Sequence, residues 1–141
     1  LYNAAVKNTL VARAISDGVA KWSRDLILVG LAHSLMLEVW ESHGFRVAGE
    51  AFADRAYESD GSLRSRKFDD ALIADPQKAA ERAVRIAQTG MVTSLDGSEI
   101  TVKAKTLCIH SDTPDSHRIA RTVREGLEHA GISVKPMMLL D

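Results

Sequence analysis

At 141 residues, 45% of them hydrophobic and 26% charged, the chain is long enough for one modest domain with its own core and needs no covalent staple. Its formal net charge of -1, from 18 basic and 19 acidic residues, offers no basic field to nucleic acid or to an anionic membrane, so neither is expected as a partner. A single cysteine, Cys108, excludes an internal disulfide and a multi-cysteine zinc site, and the absence of a membrane-length apolar run or a signal-peptide core predicts a cytoplasmic protein.

From Tyr2 to about Trp22 the residues Val6, Leu10, Val11, Ala14, Ile15 and Val19 recur at helical spacing, which predicts one core-facing helix. Gly18 weakens its last turn, at a cost of about 1 kcal/mol relative to alanine. Leu26 to Gly30 is a short continuous apolar run, the pattern of a strand buried on both faces of a parallel sheet. Ser34 is placed to cap the next helix, whose apolar side is Leu35, Met36, Val39 and Trp40 and whose end is Gly44. A strand from Phe45 to Glu50 completes a β-α-β unit.

The stretch from Ala51 to about Ala74 is long and charged for a connection in an α/β fold, and is expected to overlie a functional site. Asp75-Pro76 opens a helix by an N-cap acceptor and a first-position proline, and Gly90 closes it. Met91 to Leu95 and Glu99 to Val102 flank Asp96-Gly97, which predicts an inserted β-hairpin with a primed turn. Thr106 to Ile109 reads as the next strand. A helix opened by Thr113-Pro114 follows, lined by Ile119, Ala120, Val123, Leu127 and Ala130 and ended by Gly131, and Ile132-Ser133-Val134 begins a last strand running toward Met137. The order argues for a single α/β domain over residues 1–141, with mostly parallel β/α repeats and an inserted hairpin.

Chemistry-bearing residues gather at two strand ends. Glu50, Asp54 and Arg55 set carboxylates beside a bidentate donor suited to a substrate carboxylate or phosphoryl group; the alternative is an internal salt bridge that shapes the loop. Tyr57 is placed to hydrogen-bond a substrate, or to pack and expose its hydroxyl. His110 and Asp112 suit a general base with its orienting acceptor, or two ligands of a divalent metal whose identity stays unknown. The plain alternative has His110 bonded to a loop carbonyl and Asp112 capping a helix. Arg64, Arg66 and Lys67 form a basic group in the long loop. Cys108, inside an apolar strand, is read as inert core. His43, His117 and His129 are read as surface residues, and His33 is left without a role.

Three segments occur in one order: Glu50-Ala51-Phe52-Ala53-Asp54-Arg55-Ala56-Tyr57, then Asp60-Gly61-Ser62-Leu63-Arg64-Ser65-Arg66, then Cys108-Ile109-His110-Ser111-Asp112-Thr113-Pro114. With the opening Leu1-Tyr2-Asn3 they resemble the carboxyl-terminal half of the LamB/YcsF family, the A subunits of 5-oxoprolinase, whose motifs carry glycine where this chain has Ser111 and Asp70. The resemblance implies about half of an incomplete TIM-like β/α barrel of the kind shared with carbohydrate deacetylases. It also implies ATP-dependent opening of the 5-oxoproline lactam to L-glutamate, with ATP and Mg as cofactors and 5-oxoprolinase subunits B and C as partners. In that scheme Asp54 or His110 activates water, Glu50 and Asp112 assist, and Arg55, Arg66 and Tyr57 hold the substrate or a phosphate. A metal-dependent hydrolase of the deacetylase type and a non-catalytic carboxylate-binding subunit are the other readings. The chain lacks an initiating methionine and half a barrel leaves sheet edges uncovered, so it is expected to belong to a longer polypeptide or to form a homo-oligomer.

Overall fold

The computed structural model describes residues 1–137 and contains the expected alternation of helices and parallel strands. In chain order these are α1 (Tyr2–Lys7), α2 (Thr9–Ala20), β1 (Ile27–Leu31), α3 (Leu35–Ser42), β2 (Arg46–Phe52), α4 (Pro76–Thr89), β3 (Met91–Thr93), β4 (Glu99–Thr101), β5 (Thr106–Cys108) and α5 (Ser116–His129). The chain forms two compact units, Leu1–Glu50 and the residues from Ala51 onward.

In the first unit, the single helix predicted over residues 2–22 is two. Asn8 breaks it because its side chain accepts the N–H groups of Leu10 at 3.0 Å and Val11 at 3.2 Å, capping α2 instead of continuing α1. The predicted apolar stripe is also not the buried face. Leu10 is 76% exposed, whereas Ala5, Ala12 and Ser16 are fully buried. Those small residues let α3 approach, and Trp40 Nε1 donates to the Ala12 carbonyl at 2.9 Å. His43 is drawn into the same packing, half-buried with Nδ1 2.8 Å from Ser16 Oγ, so it is not the surface residue predicted.

Strands β1 and β2 run parallel, with Gly30 opposite Gly49. Both glycines admit close neighbours. A Cβ on Gly30 would stand 2.8 Å from Met36 Cε and 2.9 Å from Trp40 Cζ3, and one on Gly49 would stand 3.2 Å from Ala32 Cα. Ser34 does precede α3, but its hydroxyl donates to the Leu31 carbonyl at 2.6 Å and makes no cap bond.

The second unit begins with the end of β2, which lies beside β5, Ala53 N–H donating to the Cys108 carbonyl at 3.3 Å. Its core is the α4 face Ala79, Ala80 and Ala83 against Ile119, Val123 and Leu127 of α5. Gly126 lets the helices close, since a Cβ there would be 3.3 Å from Ala80 Cβ. Helix α4 has the predicted ends, with Asp75 accepting from Gln77 and Lys78 and Gly90 left-handed at φ 68°. Helix α5 starts later than Thr113-Pro114 predicts, at Ser116, after Asp115.

The hairpin is present, with β3 and β4 antiparallel, but its turn is not primed. Gly97 N–H bonds to the Ser94 carbonyl at 3.1 Å and only Gly97 has positive φ, so the turn is type I followed by a left-handed glycine. Asp96 stays out of the left-handed region because its carboxylate accepts from Ser94 Oγ and Ser98 N–H. Residues 132–136 form no strand, which corrects the prediction at Ile132–Val134. Cys108 is half-buried, so it is not the fully enclosed core residue predicted. Among the described residues no helix is long and apolar enough to cross a membrane.

Two stability effects follow from this packing. Gly30→Ala pushes Met36 and Trp40 out of place and is expected to lower stability by about 1–3 kcal/mol, whereas Asp75→Ala removes a helix cap and is expected to cost about 1 kcal/mol. Urea denaturation of each variant measures both, and an unchanged midpoint for Gly30→Ala would contradict the close approach of α3 to β1.

Candidate active site

The segment that leaves β2 is buried almost continuously from Ala51 to Tyr57. Ala51, Ala53 and Ala56 supply the room, and the larger side chains between them are wedged against neighbours. Asp54 is fully buried. Its Oδ2 accepts the His110 backbone N–H at 2.9 Å and the Thr113 hydroxyl at 3.0 Å, and His110 Nδ1 lies 3.1 Å from Oδ1. Between a carboxylate, which only accepts, and a neutral imidazole, the proton lies on Nδ1 and Nε2 keeps its lone pair. Among the described residues Nε2 has no hydrogen-bond partner, and the His110 side chain is 22% exposed where that of Asp54 is 0%. The imidazole also stacks on Phe52, ring centroids 5.3 Å apart and planes 16° from parallel.

This arrangement redistributes the expected roles. His110 takes Asp54 as its orienting acceptor, not Asp112. Asp54 has no exposed surface from which to meet water, so its action passes through His110. Asp112 pairs with Arg66, and that hydrogen bond holds its carboxyl below the usual carboxylate range. Thr113 and Phe52 were not singled out by the sequence, although both lie inside the three motif segments. Thr113 reads as a helix opener, but its hydroxyl faces Asp54, which is why α5 starts later.

The long loop after Asp54 is ordered by its own backbone. Arg55 bridges to Leu72 and Tyr57 to Leu63, Ala56 N–H donates to the Ala71 carbonyl at 3.0 Å, and Ile73 N–H donates to the Asp54 carbonyl at 2.8 Å. Arg55, only 7% exposed, donates Nη2 to the Arg64 carbonyl at 2.6 Å and Nε to the Ala71 carbonyl at 3.4 Å. Among the described residues no carboxylate pairs with it and its Nη1 has no partner. Burial is the main force pushing the Arg55 guanidinium below its ordinary value; Arg66 adds to it, and Asp54 and Asp112 oppose it. Arg64 is clasped from outside by Asp70 at 2.5 Å and Glu58 at 3.0 Å, and lies 4.2 Å over the Phe68 ring. Tyr57 is fully buried and its hydroxyl accepts the Phe52 N–H at 2.9 Å, a bracing contact within the motif. Glu50 belongs to the first unit, where its carbonyl accepts the Ala32 N–H at 2.9 Å.

The phosphates of ATP call for unpaired cations or a glycine-rich backbone cradle. In the second unit Arg64, Arg66 and Arg85 are each paired with carboxylates, and Arg82 gives Nη1 to the Arg55 carbonyl. These paired guanidinium groups are not free for a phosphate while their carboxylates hold them. Nor do three His, Cys, Asp or Glu side chains converge as metal ligands among the described residues. The arrangement does supply an oriented imidazole beside one buried guanidinium, a combination suited to activating water near a small carboxylate.

Residues 1–140 match the LamB/YcsF family. The chain is 47% identical over 135 residues to the A subunit of 5-oxoprolinase from Chloroflexus aurantiacus, covering 96% of this chain and 53% of that protein. With the protein of the same name from Chloroflexus aggregans the identity is 44% over 135 residues, covering 96% of this chain and 54% of that protein. The crystal structure of a lactam utilization protein from Thermus thermophilus superposes with a TM-score of 0.85 at 42% identity, covering 95% of this chain and 53% of that one. The chain thus spans about half the length of the relatives it matches. With nearly every residue matched, this chain belongs to the LamB/YcsF family.

Proposed function

We propose that this chain supplies the water-activating dyad of a 5-oxoprolinase, which opens the lactam of 5-oxoproline to L-glutamate in the cytoplasm. The observation that carries this reading is His110, held through Nδ1 by a fully buried Asp54 with Nε2 left as an open base. Water approaching the lactam carbonyl gives a proton to Nε2 as its oxygen bonds to the carbonyl carbon. The imidazolium so formed is stabilised by Asp54 and returns the proton to the ring nitrogen as the C–N bond breaks. Arg55 Nη1 and Arg66 hold the substrate carboxylate, as guanidinium groups do with planar anions. The ATP requirement implied by the family resemblance is assigned to residues outside this chain and to partner subunits B and C, and no described residue is given a step in it. The names of the relatives, which speak of one lettered subunit of 5-oxoprolinase and of lactam utilization, support the reading.

The fold belongs to the same proposal: the chain is read as the carboxyl-terminal half of an incomplete β/α barrel, supported by the parallel β1-α3-β2 unit and by the placing of Asp54 and His110 just beyond strand ends. The dyad is preferred to a metal-ligand pair because His110 and Asp112 are engaged by different partners, Asp54 and Arg66.

His110→Ala in the full-length protein is expected to lower kcat for ATP-dependent glutamate release, measured with the partner subunits, by about 10²- to 10⁴-fold. Asp54→Asn is expected to lower kcat in the same direction. Full turnover in His110→Ala would sink the catalytic reading and leave the non-catalytic binding subunit. Tyr57→Phe removes the hydroxyl that accepts the Phe52 N–H inside a buried stretch, so it is expected to cost about 1–3 kcal/mol of stability with KM unchanged. A raised KM at unchanged thermal stability would instead make Tyr57 a substrate contact.

A further inference from the structure

The residues around the dyad form a closed circuit. His110 is bonded to Asp54, whose neighbour Arg55 donates Nη2 to the Arg64 carbonyl; two residues on, Arg66 pairs with Asp112, itself two residues beyond His110. The circuit contains two guanidinium groups of opposite situation. Arg55 is buried, lacks a carboxylate partner among the described residues and keeps Nη1 open. Arg66 is exposed and already holds a carboxylate, with side-chain exposures of 41% for Arg66 and 63% for Asp112.

Those exposures decide what the second pair can be. An ion pair this open to water contributes little to stability, because water and salt screen it and two long side chains must be held in one geometry. It is therefore a poor fastener for the loop, which its backbone bridges and the Arg55 carbonyl bonds already hold. It is well suited to exchange. A guanidinium that gives up one carboxylate for another keeps its charge-assisted hydrogen bonds, so the swap needs no desolvated, unpaired intermediate. The Arg64 pair differs: two carboxylates and an aromatic face hold that guanidinium, so a ligand would have to displace all three.

We propose that the Asp112 carboxylate is a resident stand-in for the ligand carboxylate, holding Arg66 in the free protein and yielding it when a small carboxylate substrate enters beside His110. The inference rests on the reading that this site takes a carboxylate-bearing lactam, and it adds a residue that sets affinity and selects charge. Release of Asp112 would also put two cations, Arg55 and Arg66, on the same incoming group.

The test is equilibrium binding of 5-oxoproline and of its uncharged carboxamide to the full-length protein, by calorimetry, in wild type, Asp112→Asn, Arg66→Gln and the double variant. Asp112→Asn is expected to tighten 5-oxoproline binding about two- to fivefold, the worth of an exposed pair, and to leave the carboxamide unchanged. In the Arg66→Gln background the same change is expected to have no effect. An equal gain in that background would mean a general charge effect and would overturn the proposal. Unchanged or weaker binding by Asp112→Asn, with wild type binding normally, would overturn it while leaving the catalytic reading intact. A wild type that binds no carboxylate would overturn both. Asp112 is exposed, so its variant is expected to fold as wild type does, which the thermal midpoint checks.

Discussion

Everything near the site depends on the burial of one carboxylate. Removing the Asp54 side chain from water costs several kcal/mol if it stays ionised, and the chain offsets this with a backbone N–H, a hydroxyl and an imidazole N–H. The donors lie 56 or more residues further along the chain, so the bonds that satisfy Asp54 also pin the loop after β5 to the end of β2. The imidazole is oriented by the same contacts that hold the loop. Phe52 completes the constraint by fixing the ring plane, leaving Nε2 as the free vertex.

The arginines of the second unit show how position changes the work of one side chain. Arg55 is spent mainly on backbone carbonyls and so folds the loop that follows it, which is why a charged segment this long is ordered at all. Arg64 closes the outside of that loop with Glu58 and Asp70. Asp70 thus has a partner of its own. Among the described residues Arg66 has no comparable backbone task, and it meets its carboxylate in the open. A gradient runs from the buried, structural guanidinium to the exposed one.

What was legible in the sequence follows from whether the signal was local. The N-cap Asp75, the proline after it and the terminal Gly90 act within one or two turns, and α4 has the ends they specify. The Asn8 cap was equally local, but the apolar period running through it hid the break. The stripe of α2 misled for a different reason. Periodicity reports that a face is apolar, not that this unit covers it, and Trp40 and His43 reach α2 on the face of Ala12 and Ser16. The site residues were legible as a set because they fall in three short segments, yet their pairing was not. His110 and Asp112 are two residues apart, but the loop turns them to different partners. No spacing rule reveals that Thr113, placed like a helix opener, faces a carboxylate 59 residues away.

The motif itself is best understood as an alternation of size. Ala51, Ala53 and Ala56 are the small positions, and Phe52, Asp54, Arg55 and Tyr57 fill the space they leave. Each polar group in this buried stretch draws its partner from a different place: Asp54 from residues 110–113, Arg55 from the carbonyls of residues 64 and 71, Tyr57 from the amide of Phe52. Loss of a partner here costs more than the bond is worth wherever it leaves a buried group unsatisfied. Change is therefore least costly at the rim, where Arg66 and Asp112 are solvated and neither leaves a buried charge behind. An interior whose change costs stability and a rim whose change costs little would, on the proposed reading, let the oriented base stay fixed while affinity for the incoming anion is adjusted around it.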